Sequence, residues 1–324
     1  MIARLGEELN FEHYDAGWHS TATLGAIGAA AGCARLIGLG AVETAHAMSL
    51  ACSAAAGYTC QFGSNAKPIQ AGFAARSGVE AACLAKARLT AQAHVLDHPK
   101  GFAALMGRPK PDRLAKALSK LGQGYALKEH GLVLKPWPSC GYTHRTMTCA
   151  LALRQRVKAE DISRVILHLP DFHAAVLPFG RPDTRVDALF SAPFVAAMGL
   201  LRGGLSLADL ERDVWTDPDI AGLVAKCELR AFSPKRPDLN YSPEDPDRME
   251  VVLASGERVE ESCVYPIGAP ERPMSQCDVM AKFDSNVGHL CTTSAQRETW
   301  RENLQNWPNA PAILDLFFAT GPTT

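Results

Sequence analysis

Apolar positions along this chain fall into two textures. Up to about residue 134, Ala- and Gly-rich stretches recur at helical spacing, each bounded by a start or stop signal. Ser20 or Thr21 can cap a helix running to about Ile37, with Gly38 and Gly40 ending it. Val42 to Ala56 reads as a second helix stopped near Gly57. Pro68 opens a third, reaching about Ala87, because proline suits the first helical position. Pro111 to Glu129 gives a fourth, ending near His130-Gly131. Small residues crowd two of these helices, at Gly25, Gly28, Ala29 to Ala31 and Gly32, and at Ala71, Gly72, Ala74, Ala75 and Gly78. Such helices bury little apolar area each, so the pattern predicts central helices whose axes approach closely.

From Lys135 the texture changes. Val165 to Leu169 is short and β-branched, and Met249–Ala254 and Val259–Tyr265 flank a Ser255-Gly256-Glu257 turn, which predicts a hairpin. Helices are expected near Met147–Val157, Phe190–Leu201 and Leu207–Val214, with Pro234 to Pro246 a surface loop. After Pro273 helix returns, at about Cys277–Val287, Ser294–Leu304 and Pro311–Phe318. The simplest architecture is α plus α+β: an all-α domain built from residues 1–134 and 273–324, with an α+β domain over 135–272 inserted between them.

Bulk properties narrow the classes. The 324 residues fit about two domains at ~150 residues each, and 47% apolar content supplies ordinary cores. A net charge of −1 sets up no field that would draw nucleic acid or membrane, so neither is expected as a partner. Residues 1–134 carry 13 basic against 9 acidic side chains, a mild excess that suits an anionic ligand. The start turns acidic at Glu7-Glu8 where a leader's apolar core would begin, so no signal peptide is expected. The ten cysteines contain no C-x-x-C pair, which argues against structural zinc and dithiol redox chemistry. Cys33, Cys52 and Cys83 read as small buried groups of a cytoplasmic protein. The apolar run Ala22–Ala34 is too short to span a bilayer.

Three strings carry candidate chemistry. In Gly17-Trp18-His19-Ser20-Thr21, His19 lies just before a helix cap, where an imidazole can pass protons at neutral pH or simply brace a corner. In Asn65-Ala66-Lys67-Pro68, Lys67 faces the positive end of a helix; that is mildly unfavourable unless an anion binds there, and the alternative is a solvated lysine. A lysine–carboxylate pair ~4 Å apart is worth about 4 kcal/mol at an effective dielectric of ~20. In Lys135-Pro-Trp-Pro-Ser-Cys140-Gly-Tyr-Thr-His144, the prolines hold the direction of Lys135, which otherwise is a loop lysine. Cys140 is a nucleophile only if its pKa is depressed, and otherwise a plain thiol. His144 with Arg145 binds an anion or caps a helix, and Arg181 is a further cation in a constrained turn or a surface arginine. No spacing suggests a metal site or a cofactor fingerprint.

Read together, these strings resemble the MmgE/PrpD family, as do Ala71-Gly72-x-Ala74-Ala75, Gly101-Phe102 and the late Lys282-Phe283. The resemblance runs nearly end to end. It implies a helical domain with an inserted α+β lid, a cofactor-free site between them, and a homodimer. It implies lyase chemistry on a small anionic di- or tricarboxylic acid, first of all 2-methylcitrate dehydration, with cis-aconitate decarboxylation or imino-diacid epimerisation as alternatives. By position, His19, Lys67 and Lys135 are the implied catalytic residues, and Cys140, His144 and Arg181 the implied substrate-binding ones. Cys140 stands where decarboxylase-type members have histidine. The resemblance also implies a helical segment with an Asp-rich motif ahead of residue 1. Without it, the helical domain is expected to expose apolar surface, and a truncated, non-catalytic relative acting as a binding or interaction protein is the alternative of another class.

Overall fold

The structure, a computed structural model, describes residues 1–107, 111–288 and 293–305. The helix expected over Pro311–Phe318 lies outside the described residues. Contacts divide the chain into two units, Met1–Leu132 and Val133–Thr324.

The first unit is helical: α1 (Ile2–Asp15), α2 (Ser20–Leu36), α3 (Ala41–Ala54), α4 (Ala66–Lys86), α5 (Phe102–Met106), α6 (Pro111–Ser119) and α7 (Ala126–His130). The spacing of small residues places α2, α3 and α4 within a residue or two of expectation. Gly78 on α4 shows why those residues are small: a Cβ there would collide with Ala29 and stand 2.7 Å from the Ala30 amide nitrogen. One cluster of the core is almost pure alanine, with Ala30, Ala34, Ala47, Ala51, Ala81 and Ala85. A second holds the bulk, including Leu5, Leu9, Leu24, Ile27, Phe102 and Leu114.

Residues 2–15, for which no element was expected, form α1, with Leu5 and Leu9 one helical turn apart and buried. The single helix over Pro111–Glu129 is two, α6 and α7. Gly122, at φ +82°, turns the chain between them, a conformation glycine adopts without strain. Cys52 is buried as expected, but Cys83 is exposed.

The second unit mixes helix and sheet. In chain order it has α8 (His144–Arg154), β1 (Ile162–Pro170), α9 (Asp171–Ala175), α10 (Arg185–Leu189), α11 (Ala192–Arg202), α12 (Leu207–Glu211) and α13 (Pro218–Val224). Then come β2 (Cys227–Phe232), β3 (Asp247–Leu253), β4 (Arg258–Cys263), α14 (Gln276–Val287) and α15 (Ser294–Gln305). The sheet order is β2-β1-β3-β4. β1 runs parallel to β2 with Val165 opposite Cys227, and antiparallel to β3 with Val165 opposite Val251. The expected hairpin is present as β3–β4. β2 was not foreseen; its half-exposed Cys-Glu-Leu-Arg-Ala-Phe lacks a clean apolar alternation. Helix α8 packs on β3, β4 and α11, and nearly all of it is buried, which sets the floor under the segment 135–144. Residues 234–246 form the expected loop, tied by the buried Asp245 carboxylate, which accepts the Lys235 and Arg236 amides at 2.8 and 2.9 Å. Among the described residues no helix is long and apolar enough to cross a membrane.

Candidate functional site

In the first unit, the chain bends before α2 and puts His19 at its N-cap, with the His19 amide donating to the Gly57 carbonyl at 2.9 Å. The side chain is only 6% exposed. Its Nδ1 lies 2.7 Å from Gln70 Oε1 on α4, and its ring meets Phe62 edge-on at 4.9 Å. The sequence reading put Lys67 just ahead of α4; the structure starts that helix at Ala66, so Lys67 sits in its first turn. Its ammonium lies 4.0 Å from the centroid of the same Phe62 ring, a cation–π arrangement. Two of the sequence-predicted residues therefore converge, through an aromatic that the sequence reading passed over. Burial pushes the His19 pKa down, the Gln70 contact opposes that, and the Lys67 charge adds to the lowering. A cavity of about 380 Å³ in this unit is lined by Ile2, Gly6, Ser20, Leu24, Gly25 and Ala71 among others, and includes neither His19 nor Lys67.

In the second unit, the Leu134 amide donates to the Gly268 carbonyl at 2.9 Å and fixes the chain just before Lys135. Lys135 Nζ donates to the Ser139 carbonyl at 3.1 Å. Cys140 is buried, and its backbone does the organising: its amide donates to Leu189 O at 2.9 Å, and its carbonyl accepts Thr143 Oγ1 at 2.8 Å and His144 Nδ1 at 3.0 Å. His144 therefore carries its proton on Nδ1. Its Nε2 is buried with no hydrogen-bond partner among the described residues. Burial foremost, with the charges of Lys135 and Lys282 adding to it against opposing backbone hydrogen bonds, brings the His144 pKa down to about 4. The Lys282 pKa is itself lowered, by burial and then by Lys135. Lys135, His144 and Lys282 thus share one basic neighbourhood. Lys282 was noticed in the sequence only as part of a closing string.

Arg145 is not available to an external anion: it is ion-paired with the buried Asp247, and its Nη2 contacts His173 Nδ1 at 2.9 Å. Arg181 is exposed. Gln70, missed in the sequence, had one signal: it lies three residues after Lys67 and is a buried polar side chain on a small-residue helix.

One cluster has the donor atoms for a metal: Glu7, Glu129 and His130 bring ligand atoms within 4.8 Å of one another. Glu7 already accepts from Arg4 at 2.6 Å, Lys120 at 2.7 Å and His130 at 3.0 Å. Burial raises the Glu7 pKa, yet these bonds together hold it down near 2. Positive side chains occupy the lone pairs a cation would need.

The described residues thus hold a buried imidazole beside a lysine, and a second basic cluster around a shielded histidine. Two family models match the chain: the MmgE/PrpD N-terminal domain over residues 1–115 and the MmgE/PrpD C-terminal domain over residues 137–306. The chain belongs to the MmgE/PrpD family. Similar curated proteins include the cis-aconitate decarboxylase of Homo sapiens, 26% identical over 316 residues, covering 94% of this chain and 64% of that protein. The cis-aconitate decarboxylase of Mus musculus is 26% identical over 284 residues, covering 84% of this chain and 56% of its own length. That of Aspergillus terreus (strain NIH 2624 / FGSC A1156) is 26% identical over 306 residues, with 87% and 60% covered. The chain spans about three fifths of the length of these relatives.

Proposed function

We propose that this protein is a cofactor-independent lyase acting on a small di- or tricarboxylic acid, with His19 as the proton-transfer group. The observation that carries this reading is the His19–Phe62–Lys67 arrangement: a buried imidazole and an ammonium on one aromatic ring. The lowered His19 pKa keeps the imidazole neutral at pH 7, which suits removal of a proton rather than its delivery. Lys67 offsets the negative charge that grows on the adjacent carboxylate as the C–H bond breaks. Departure of a β-hydroxyl as water then completes a dehydration, of which 2-methylcitrate is the first candidate substrate.

A second reaction, decarboxylation of cis-aconitate, is supported by the names of the relatives. There the C–CO₂ bond breaks, CO₂ leaves, and the electron pair left behind takes a proton. Epimerisation would return the proton to the opposite face. The experiment is incubation of the purified protein with 2-methylcitrate, cis-aconitate and imino diacids, with products followed by NMR. Turnover of 2-methylcitrate is the expected result; turnover of cis-aconitate alone selects the decarboxylase reading. Turnover of none overturns the lyase proposal and favours a non-catalytic binding protein.

A further inference from the structure

The two ends of the Gln70 side chain make different contacts. Its Oε1 faces His19 Nδ1 at 2.7 Å, and its Nε2 donates to the Tyr58 carbonyl at 3.4 Å. A carbonyl oxygen only accepts, so the amide nitrogen must face Tyr58 and the amide oxygen must face His19. Flipping the amide would set two acceptors against each other at Tyr58. Gln70 is 8% exposed and His19 6%, so water does not easily substitute for either contact. The Tyr58 carbonyl is itself held, because it also accepts the Gln61 amide at 3.2 Å.

We infer that Gln70 is a positioning residue: the Tyr58 carbonyl orients its amide, and the amide holds neutral His19 as the Nδ1–H tautomer with Nε2 left as the proton-accepting atom. This rests on the reading of His19 as the proton-transfer group, which it deepens by assigning the atom. His144, by contrast, has its Nε2 buried with no hydrogen-bond partner among the described residues. The groups that face His19 are Phe62 and Gln70 on its flanks and the Lys67 charge, with no carboxylate among the described residues acting on it. Among the described residues, Gln70 is the side chain hydrogen-bonded to the His19 ring.

The test is the tautomer itself, read by long-range ¹H–¹⁵N correlation of the imidazole in the 324-residue chain labelled on histidine. Wild type is expected to show His19 as Nδ1–H above its pKa, and Gln70→Leu a mixture or the Nε2–H form. An Nε2–H wild type, or an unchanged Gln70→Leu spectrum, overturns the inference. Gln70→Glu is the second variant: it keeps the acceptor oxygen and adds a charge, so His19 should keep its tautomer and titrate at higher pH. An unmoved titration in a folded Gln70→Glu protein also overturns the inference. Once a substrate is known, Gln70→Leu should lower kcat at least about tenfold with KM within about twofold. Failure to turn over any acid would sink the lyase reading alone, because the spectrum decides the Gln70 assignment without substrate.

Discussion

Arg145 and Asp247 form an ion pair inside the second unit, each with 1% of its side chain exposed. The pair joins helix α8 to the first residue of strand β3, so it fastens the helix under the 135–144 segment to the sheet. Burial pushes the Asp247 carboxyl up while Arg145 pulls it back. His173, with no surface exposed, completes the cluster from α9.

Removing one partner strands the other charge away from water. Asp247→Ala should cost about 3–5 kcal/mol of stability, measured by urea unfolding against wild type. Asp247→Asn, which keeps the shape and an acceptor oxygen, should cost less. A loss under ~1 kcal/mol for the alanine variant would mean that water reaches this pair.

The pH dependence of turnover follows from His19. The proposed reaction uses its base form, and its pKa is depressed below the ordinary value of about 6.5. Activity should therefore fall on the acid side, with a midpoint below that value. Lys67 contributes to the depression, so Lys67→Ala should move the midpoint to higher pH as well as lower kcat/KM by more than about tenfold. An acid limb that stays in place in Lys67→Ala would disconnect the lysine from the imidazole.

His144 gives a second pH window. Its folded pKa of about 4 lies below its unfolded value near 6.5, so the buried neutral ring supports folding fully above the higher value. That support is lost as pH falls from about 6.5 toward about 4. Lys282→Met removes a charge that disfavours the imidazolium, so the midpoint should move up in an NMR titration. No movement would place Lys282 outside this neighbourhood.

Contact between α2 and α4 depends on Gly78. Gly78→Ala should destabilise the first unit by about 1–3 kcal/mol, because the added methyl meets Ala29 and the Ala30 backbone. Thermal melts would show it. A neutral or stabilising result would mean that the helices separate freely.

Much of this was legible in the sequence, for reasons that differ by residue. His19 and Lys67 stood out because they sit at helix starts, where capping and dipole arguments apply to single positions. The alanine-rich helices announced their close packing through composition alone. Gln70 did not stand out, since its significance is a pair of contacts, one to His19 fifty-one residues earlier and one to a backbone carbonyl. Lys282 was equally opaque: only its effect on His144, far away in the chain, marks it. Arg145 carries the opposite lesson, being a cation that looked free and is neutralised by Asp247 from another element. Strand β2 was missed because a short, half-exposed element without apolar alternation takes its shape from neighbours; helix α1 was not assigned although Leu5 and Leu9 already showed helical spacing.

Alanine and glycine have no rotamers to exchange. His19 caps α2 and Lys67 opens α4, and those two helices touch through such residues. The spacing of the His19 and Lys67 backbones is therefore inherited from main-chain stiffness, with no side-chain slack where the two helices touch. On the proposed lyase reading, an acid held by both residues would have to suit that backbone spacing, which would favour some chain lengths over others.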